Sequence, residues 1–144
     1  MGLDMYLSAK KYLWKCNESD TQVSKEIQEK INVRRRVKEV VIEAAYWRKA
    51  NQIHSWFVDN VQNGMDECKP HYVSREQLQK LLDACCIAID RKDKNLLPPQ
   101  EGFFFGSTEI DGDYWNDIKY TAIEIETLLS ELDDSWEFEY CSSW

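Results

Sequence analysis

Tyr46-Trp47-Arg48-Lys49-Ala50-Asn51-Gln52-Ile53-His54-Ser55-Trp56-Phe57-Val58-Asp59-Asn60-Val61 is where a strand-like hydrophobic run gives way to a helical pattern. Ala50, Ile53, Phe57 and Val61 recur at helical spacing, and Trp56 widens their apolar face. The spacing predicts a helix over Lys49–Gln62, closed by the C-cap pair Asn63-Gly64. Trp47, Asn51, His54 and Val58 form a second stripe beside the first, and an aromatic, an amide and an imidazole on one helix flank are suited to line a pocket.

Upstream of this stretch, Leu3, Met5, Leu7 and Ala9 alternate with polar partners, the period of a half-buried strand. Residues 15–22 read as a loop. Val23, Ile27 and Ile31 make a thin helical stripe with Asp20 and Thr21 as candidate caps, and Val37 to Tyr46 reads as a second strand. Downstream, Met65–Tyr72 reads as a loop. Ser74-Arg75-Glu76-Gln77 fits a capping box, and Leu78, Leu81, Leu82, Cys85 and Ile89 give a helix to about Asp90. Pro98-Pro99 enforces an extended segment. Phe103-Phe104-Phe105, between Gly102 and Gly106, reads as a buried strand or a pocket floor. Trp115 to Leu132 carries helical periodicity from about Tyr114, and Trp136, Phe138 and Tyr140 alternate as a terminal strand. The expected fold is one α+β domain over residues 1–144, a small mostly antiparallel sheet with both terminal strands, covered by three main helices.

The 144 residues suffice to bury roughly 68–70% of the unfolded surface. No apolar run reaches the ~18 residues of a membrane span, and no signal-peptide core is present, so the expected setting is the cytoplasm, without membrane contact. The formal net charge is −8 and is uneven. Residues 1–48 hold ten Lys/Arg against seven Asp/Glu, while residues 101–144 hold twelve acids against Lys119 alone. This field disfavours nucleic-acid binding, and no direct nucleic-acid partner is expected. Five cysteines without framework spacing read as reduced, mostly buried thiols.

His54 is the best single polar candidate, with Asn51 one turn away as a group that could orient the ring, but no activated nucleophile stands near it. A hydrogen-bonded structural histidine is the favoured reading, then ligand contact, then acid/base chemistry. Arg48 and Lys49 oppose the helix dipole at its start, a cost that a bound anion would offset; pairing of Arg48 with a carboxylate, or a strand that runs further, would resolve it equally. Ser107, Thr108 and Glu109 are candidate ligand contacts, or simply turn chemistry. Trp47, Arg48, Lys49, Asn51 and His54, joined to Phe105, Ser107, Thr108 and Glu109, would make an aromatic, partly cationic pocket for a base and its phosphate. Cys68-x-x-His71 offers only two metal ligands, and no second pair has zinc-site spacing; neither a metal nor an organic cofactor is expected. The glycines show no phosphate-loop pattern. Asp113, Asp117, Glu124 and Glu131 fall on one helix face, too sparse a row to imitate a phosphate ladder and more simply a solvated face.

Four blocks carry a resemblance: Met1-Gly2-Leu3-Asp4-Met5-Tyr6-Leu7, the Tyr46–Phe57 block, Gly102-Phe103-Phe104-Phe105-Gly106-Ser107-Thr108-Glu109, and Ser142-Ser143-Trp144. Together they resemble an uncharacterised family of small proteins from bacteriophages and phage-derived bacterial regions. The resemblance implies an accessory role in a bacterial host, including interference with host defence, and it implies no catalytic residues. The expected activity is therefore binding, either inhibiting a host protein or sequestering a small anionic, nucleotide-like ligand. A small enzyme acting on a phosphorylated or nucleotide substrate through His54 stands second, and an acidic nucleic-acid mimic third. The aromatic terminal strand leaves self-association open as well.

Overall fold

The computed structural model describes Gly2–Trp144; Met1, the first residue of the N-terminal block, lies outside the described residues. The elements run β1 (Asp4–Tyr12), α1 (Glu18–Ile31), β2 (Glu39–Arg48), α2 (Asn51–Asn60), β3 (His71–Val73), α3 (Arg75–Arg91), α4 (Gly112–Glu131) and β4 (Trp136–Ser143). The fold is α+β, with one antiparallel sheet in the order β2-β1-β4-β3. The two terminal strands are its central pair.

Alternation along β1 decides which face is covered. Met5, Leu7 and Ala9 are fully buried, facing Phe138, Tyr140 and Ser142 of β4 across the register, while Tyr6 points to the opposite, solvent-facing side. On β2 the register slips between Leu7 and Ser8, so the extra residue Ala44 joins Ala45 inside. Beyond that bulge β2, the expected second strand, becomes an exposed edge on which Val41 and Ile42 lie in solvent. Ile53 and Phe57 of α2, Leu78, Leu81 and Cys85 of α3, and Ile118, Ala122 and Ile125 of α4 complete the core. Phe57 stacks on Tyr140 with ring centres 3.9 Å apart, joining α2 to the middle of the sheet.

Several local expectations are corrected. The first helix starts earlier, because Asn17 rather than Asp20 or Thr21 is its cap and accepts from the Asp20 N–H. Its stripe stays largely outside: Val23 and Ile31 are exposed, and the helix is tied to the sheet through the Ser24 hydroxyl on the Val37 carbonyl at 2.7 Å. β3 lies partly in the segment read as a loop, added by pairing with β4. The Phe103–Phe105 run is a turn, not a strand. Phe103 is 94% exposed, the Phe104 carbonyl accepts from the Leu3 N–H, and only Phe105 is buried. Of the five thiols, all free, only Cys85 is buried, and burial pushes it up to about 12. Among the described residues no helix is long and apolar enough to cross a membrane.

Candidate functional site

β2 does not pass directly into α2. It continues to Arg48, and Lys49 then takes a left-handed conformation with φ 58°, so that α2 begins only at Asn51. The two cations stand before the helix rather than inside its first turn, which removes the dipole conflict expected for a helix starting at Lys49. Trp47 correspondingly belongs to the strand and not to a helix flank. Its indole is buried and donates to the Thr121 hydroxyl of α4 at 2.8 Å.

A left-handed, non-glycine residue is unfavourable unless its neighbours hold it there. Lys49 is held by two close backbone approaches. A β-carbon on Gly106 would lie 3.1 Å from the Lys49 Cβ, and one on Gly2 would lie 3.1 Å from its Cε. Gly106 has φ 86°, so glycine is needed there for conformation as well as for space.

Asn51 connects the two sequence blocks. Its side-chain amide donates to the Phe105 carbonyl (3.0 Å) and the Ser107 carbonyl (2.9 Å), and its oxygen accepts from the Gln100 N–H (3.0 Å). One buried asparagine thus holds the loop from Gln100 to Ser107 against the start of α2. The Tyr46–Phe57 and Gly102–Glu109 blocks are in contact.

Where they meet, the surface opens into a cleft of about 360 Å³. Arg48, Lys49, Asn51 and Gln52 form one wall, Gly106, Ser107 and Glu109 the rim, and Asp111, Asp113, Tyr114, Asn116 and Asp117 of α4 and its cap the other wall. Neither Arg48 nor Lys49 makes an ion pair among the described residues. The α2 N-cap, Ala50, supplies no side-chain bond to the first turn. Across the cleft, burial raises the Asp117 carboxyl to about 6, against a lowering by the Gln52 amide, with Asp113 and Asp111 adding to the rise. Asp117 therefore does not belong to a solvated acidic row. The cleft carries two cations on one side and faces them with the carboxylates of Asp111, Asp113 and Asp117 beside Asn116, with Glu109 at the rim.

Of the residues singled out in the sequence, Arg48, Lys49, Asn51, Ser107 and Glu109 line this cleft. Thr108 is exposed outside its lining, and Trp47, His54 and Phe105 are packed into the core behind it. His54 is fully buried. Its Nδ1 lies 2.7 Å from the Tyr140 hydroxyl, and its Nε2 lies 3.0 Å from both Asp66 oxygens. The Asp66 carboxylate can only accept, so Nε2–H donates to it, and burial keeps the Tyr140 phenol protonated where its hydroxyl pairs with Nδ1. The Trp144 indole also donates to Asp66, at 3.1 Å, and Phe105 meets the imidazole edge to face. Both ring nitrogens are engaged, and the partner that orients the ring is Asp66 rather than Asn51.

Gln52, Asn116 and Asp117 are cleft residues that the sequence reading missed. Gln52 sits in the quoted stretch, but its role depends on α4, whose Tyr114 carbonyl it reaches at 3.1 Å across 62 positions. Among the described residues, no group of three or more His, Cys, Asp or Glu side chains is placed to hold a metal ion. Compared with protein-family models, with curated proteins and with solved structures, the chain matches none.

Proposed function

We propose that this protein acts by binding, and that the cleft takes a small phosphorylated, nucleotide-like ligand, which the protein sequesters as a phage-associated accessory in the bacterial cytoplasm. One observation supports the reading: two adjacent cations stand at the cleft without an ion pair, although Glu109, Asp111, Asp113 and Asp117 line it with them. Lys49 is moreover kept there in a conformation that an ordinary linker would avoid. A phosphate would take charge-assisted hydrogen bonds from Arg48 and Lys49 and lie near the uncapped first turn of α2. Asn116, Asp117 and Glu109 would meet the polar edge of a heterocycle on the facing wall.

Inhibition of a host protein is the same kind of act on a larger surface. The observation favouring it is the solvent-facing side of the sheet, where Tyr6, Tyr46 and Tyr72 are exposed. Turnover with His54 as acid/base has less support, since the imidazole is committed to Tyr140 and Asp66 inside the core.

The test is thermal stabilisation and calorimetry with inorganic phosphate, pyrophosphate and nucleoside mono- and diphosphates. A ligand at about 100 times its Kd stabilises by about 2.7 kcal/mol. Arg48→Ala should abolish that gain while leaving the unliganded melting curve in place, because the side chain is exposed. Equal stabilisation of both proteins would remove the cleft from consideration.

A further inference from the structure

The far corner of the molecule has the opposite electrostatic character from the chain as a whole. Residues 10–38 hold nine Lys/Arg against four Asp/Glu. Only two of these cations are paired with carboxylates, Lys10 with Glu139 and Lys11 with Asp20. Lys15, Lys25, Lys30, Arg34, Arg35 and Lys38 make no ion pair among the described residues. The fold ties the segment 34–38 to α1 and to the residue after β1. The Leu13 N–H donates to the Lys38 carbonyl, Gln28 on α1 donates to the Arg34 carbonyl, and the Ser24 hydroxyl reaches Val37. A groove of about 320 Å³ runs between α1 and the chain beyond it, lined by Lys25, Gln28, Glu29, Asn32, Val33 and Arg34.

At the end of β1, against Arg36 of the same basic segment, stands an aromatic pair. Trp14 is 60% exposed and meets Tyr12 edge to face, with ring centres 4.6 Å apart. Arg36 lies 5.8 Å from the centre of the Tyr12 ring while donating to the Leu13 carbonyl. The position of Tyr12 is therefore fixed, and Trp14 stands on it with more than half of its surface open. Nothing in the core requires an indole there.

We propose that this corner is a single-stranded nucleic-acid contact, with Lys25, Lys30, Arg34 and Arg35 on successive phosphates and Trp14 as a base-stacking platform. Cations tracking a backbone beside an exposed aromatic are how sequence-tolerant single-strand binding is built. The net charge of −8 does not decide the matter at this corner, because fields between exposed charges fade over about 8 Å at physiological ionic strength. Val23 and Ile31, exposed on the same helix, are what an acidic protein partner would use, and the experiment separates the two. The proposal is independent of the cleft.

The full chain is titrated into a fluorescein-labelled oligothymidylate of about 15 nucleotides, and anisotropy is followed at several salt concentrations. With about four phosphates engaged, affinity should fall about 50-fold between 50 and 200 mM salt. Arg34→Glu with Arg35→Glu should remove binding and flatten the salt dependence, and Trp14→Ala should weaken it by about tenfold. Circular dichroism checks that these surface variants remain folded. No binding by the wild-type chain at 50 mM salt overturns the proposal. So does competition by polyglutamate as effective as by the oligonucleotide with Trp14→Ala unchanged, which would assign the corner to an acidic protein.

Discussion

Replacing His54 by Leu, a side chain of similar volume, asks directly whether the imidazole is structural. The substitution leaves the Tyr140 hydroxyl without its 2.7 Å partner in a fully buried position, while Asp66 keeps Trp144 and access to water. An unsatisfied buried hydroxyl costs about 1–3 kcal/mol, and little cavity opens. The expected loss is about 2 kcal/mol, which for a domain of this length lowers Tm by about 4–8 °C. Tyr140→Phe alone should cost about 1–2 kcal/mol, because it leaves Nδ1 unpaired inside the core. The double variant removes both ends of the bond, so its cost should fall short of the sum by about 1 kcal/mol. Urea denaturation of the four proteins measures all three quantities. A native Tm in His54→Leu, or strict additivity in the double variant, would refute the assignment. Loss of a turnover reaction with unchanged stability would instead make His54 catalytic.

Asp117 sets a pH dependence. Its folded pKa of about 6 lies above the unfolded value, so ionisation opposes folding, and stability from this group is lost as pH rises from about 4 through 6. Asp117→Asn should therefore be neutral at pH 4 and stabilising at pH 7, by on the order of 1 kcal/mol after allowing for solvent screening, as urea melts at the two pH values would show. Asn51→Ala removes all three bonds to the loop from Gln100 to Ser107, so hydrogen exchange at the Gln100 N–H, which donates to Asn51, and at the Phe105 N–H, which donates to Gly102 within that loop, should accelerate at least tenfold while α3 stays protected. Arg75 donates to the carbonyls of Leu129, Leu132 and Asp133 at the end of α4, so Arg75→Ala should cost about 1–3 kcal/mol in chemical denaturation, with Arg75→Lys recovering only part.

What could be read in advance was whatever local chemistry decides. Alternation marks β1 and β4, and the Ser74–Gln77 box closes reciprocally, with Gln77 accepting from the Ser74 N–H at 2.9 Å. Three-residue β3 was not legible, because His71-Tyr72-Val73 is too short for a periodic signal and exists through pairing with β4. The exposure of Val41 and Ile42 follows from an edge position and a bulge, both properties of the assembled sheet.

The candidate site divides along the same line. Arg48 and Lys49 drew attention as cations placed against a dipole, and the conflict turned out to be settled by a left-handed turn that the sequence Arg-Lys-Ala does not announce. His54 is hydrogen-bonded and buried, the reading favoured from the sequence, yet its partners are not Asn51 one turn away but Asp66, 12 positions away, and Tyr140, 86 positions away. Ser107 and Glu109 reach the cleft because Asn51 holds their loop, a long-range bond that no spacing rule contains.

The central claim, that the cleft holds a small anionic ligand at Arg48 and Lys49, is tested most directly by native mass spectrometry of the protein purified gently from bacterial cells. The expected result is a retained small-molecule adduct of phosphorylated composition that disappears in Arg48→Ala, with the bare protein otherwise unchanged. A clean mass in the wild-type protein that stays clean after incubation with nucleotides, or an adduct retained equally by Arg48→Ala, would contradict it.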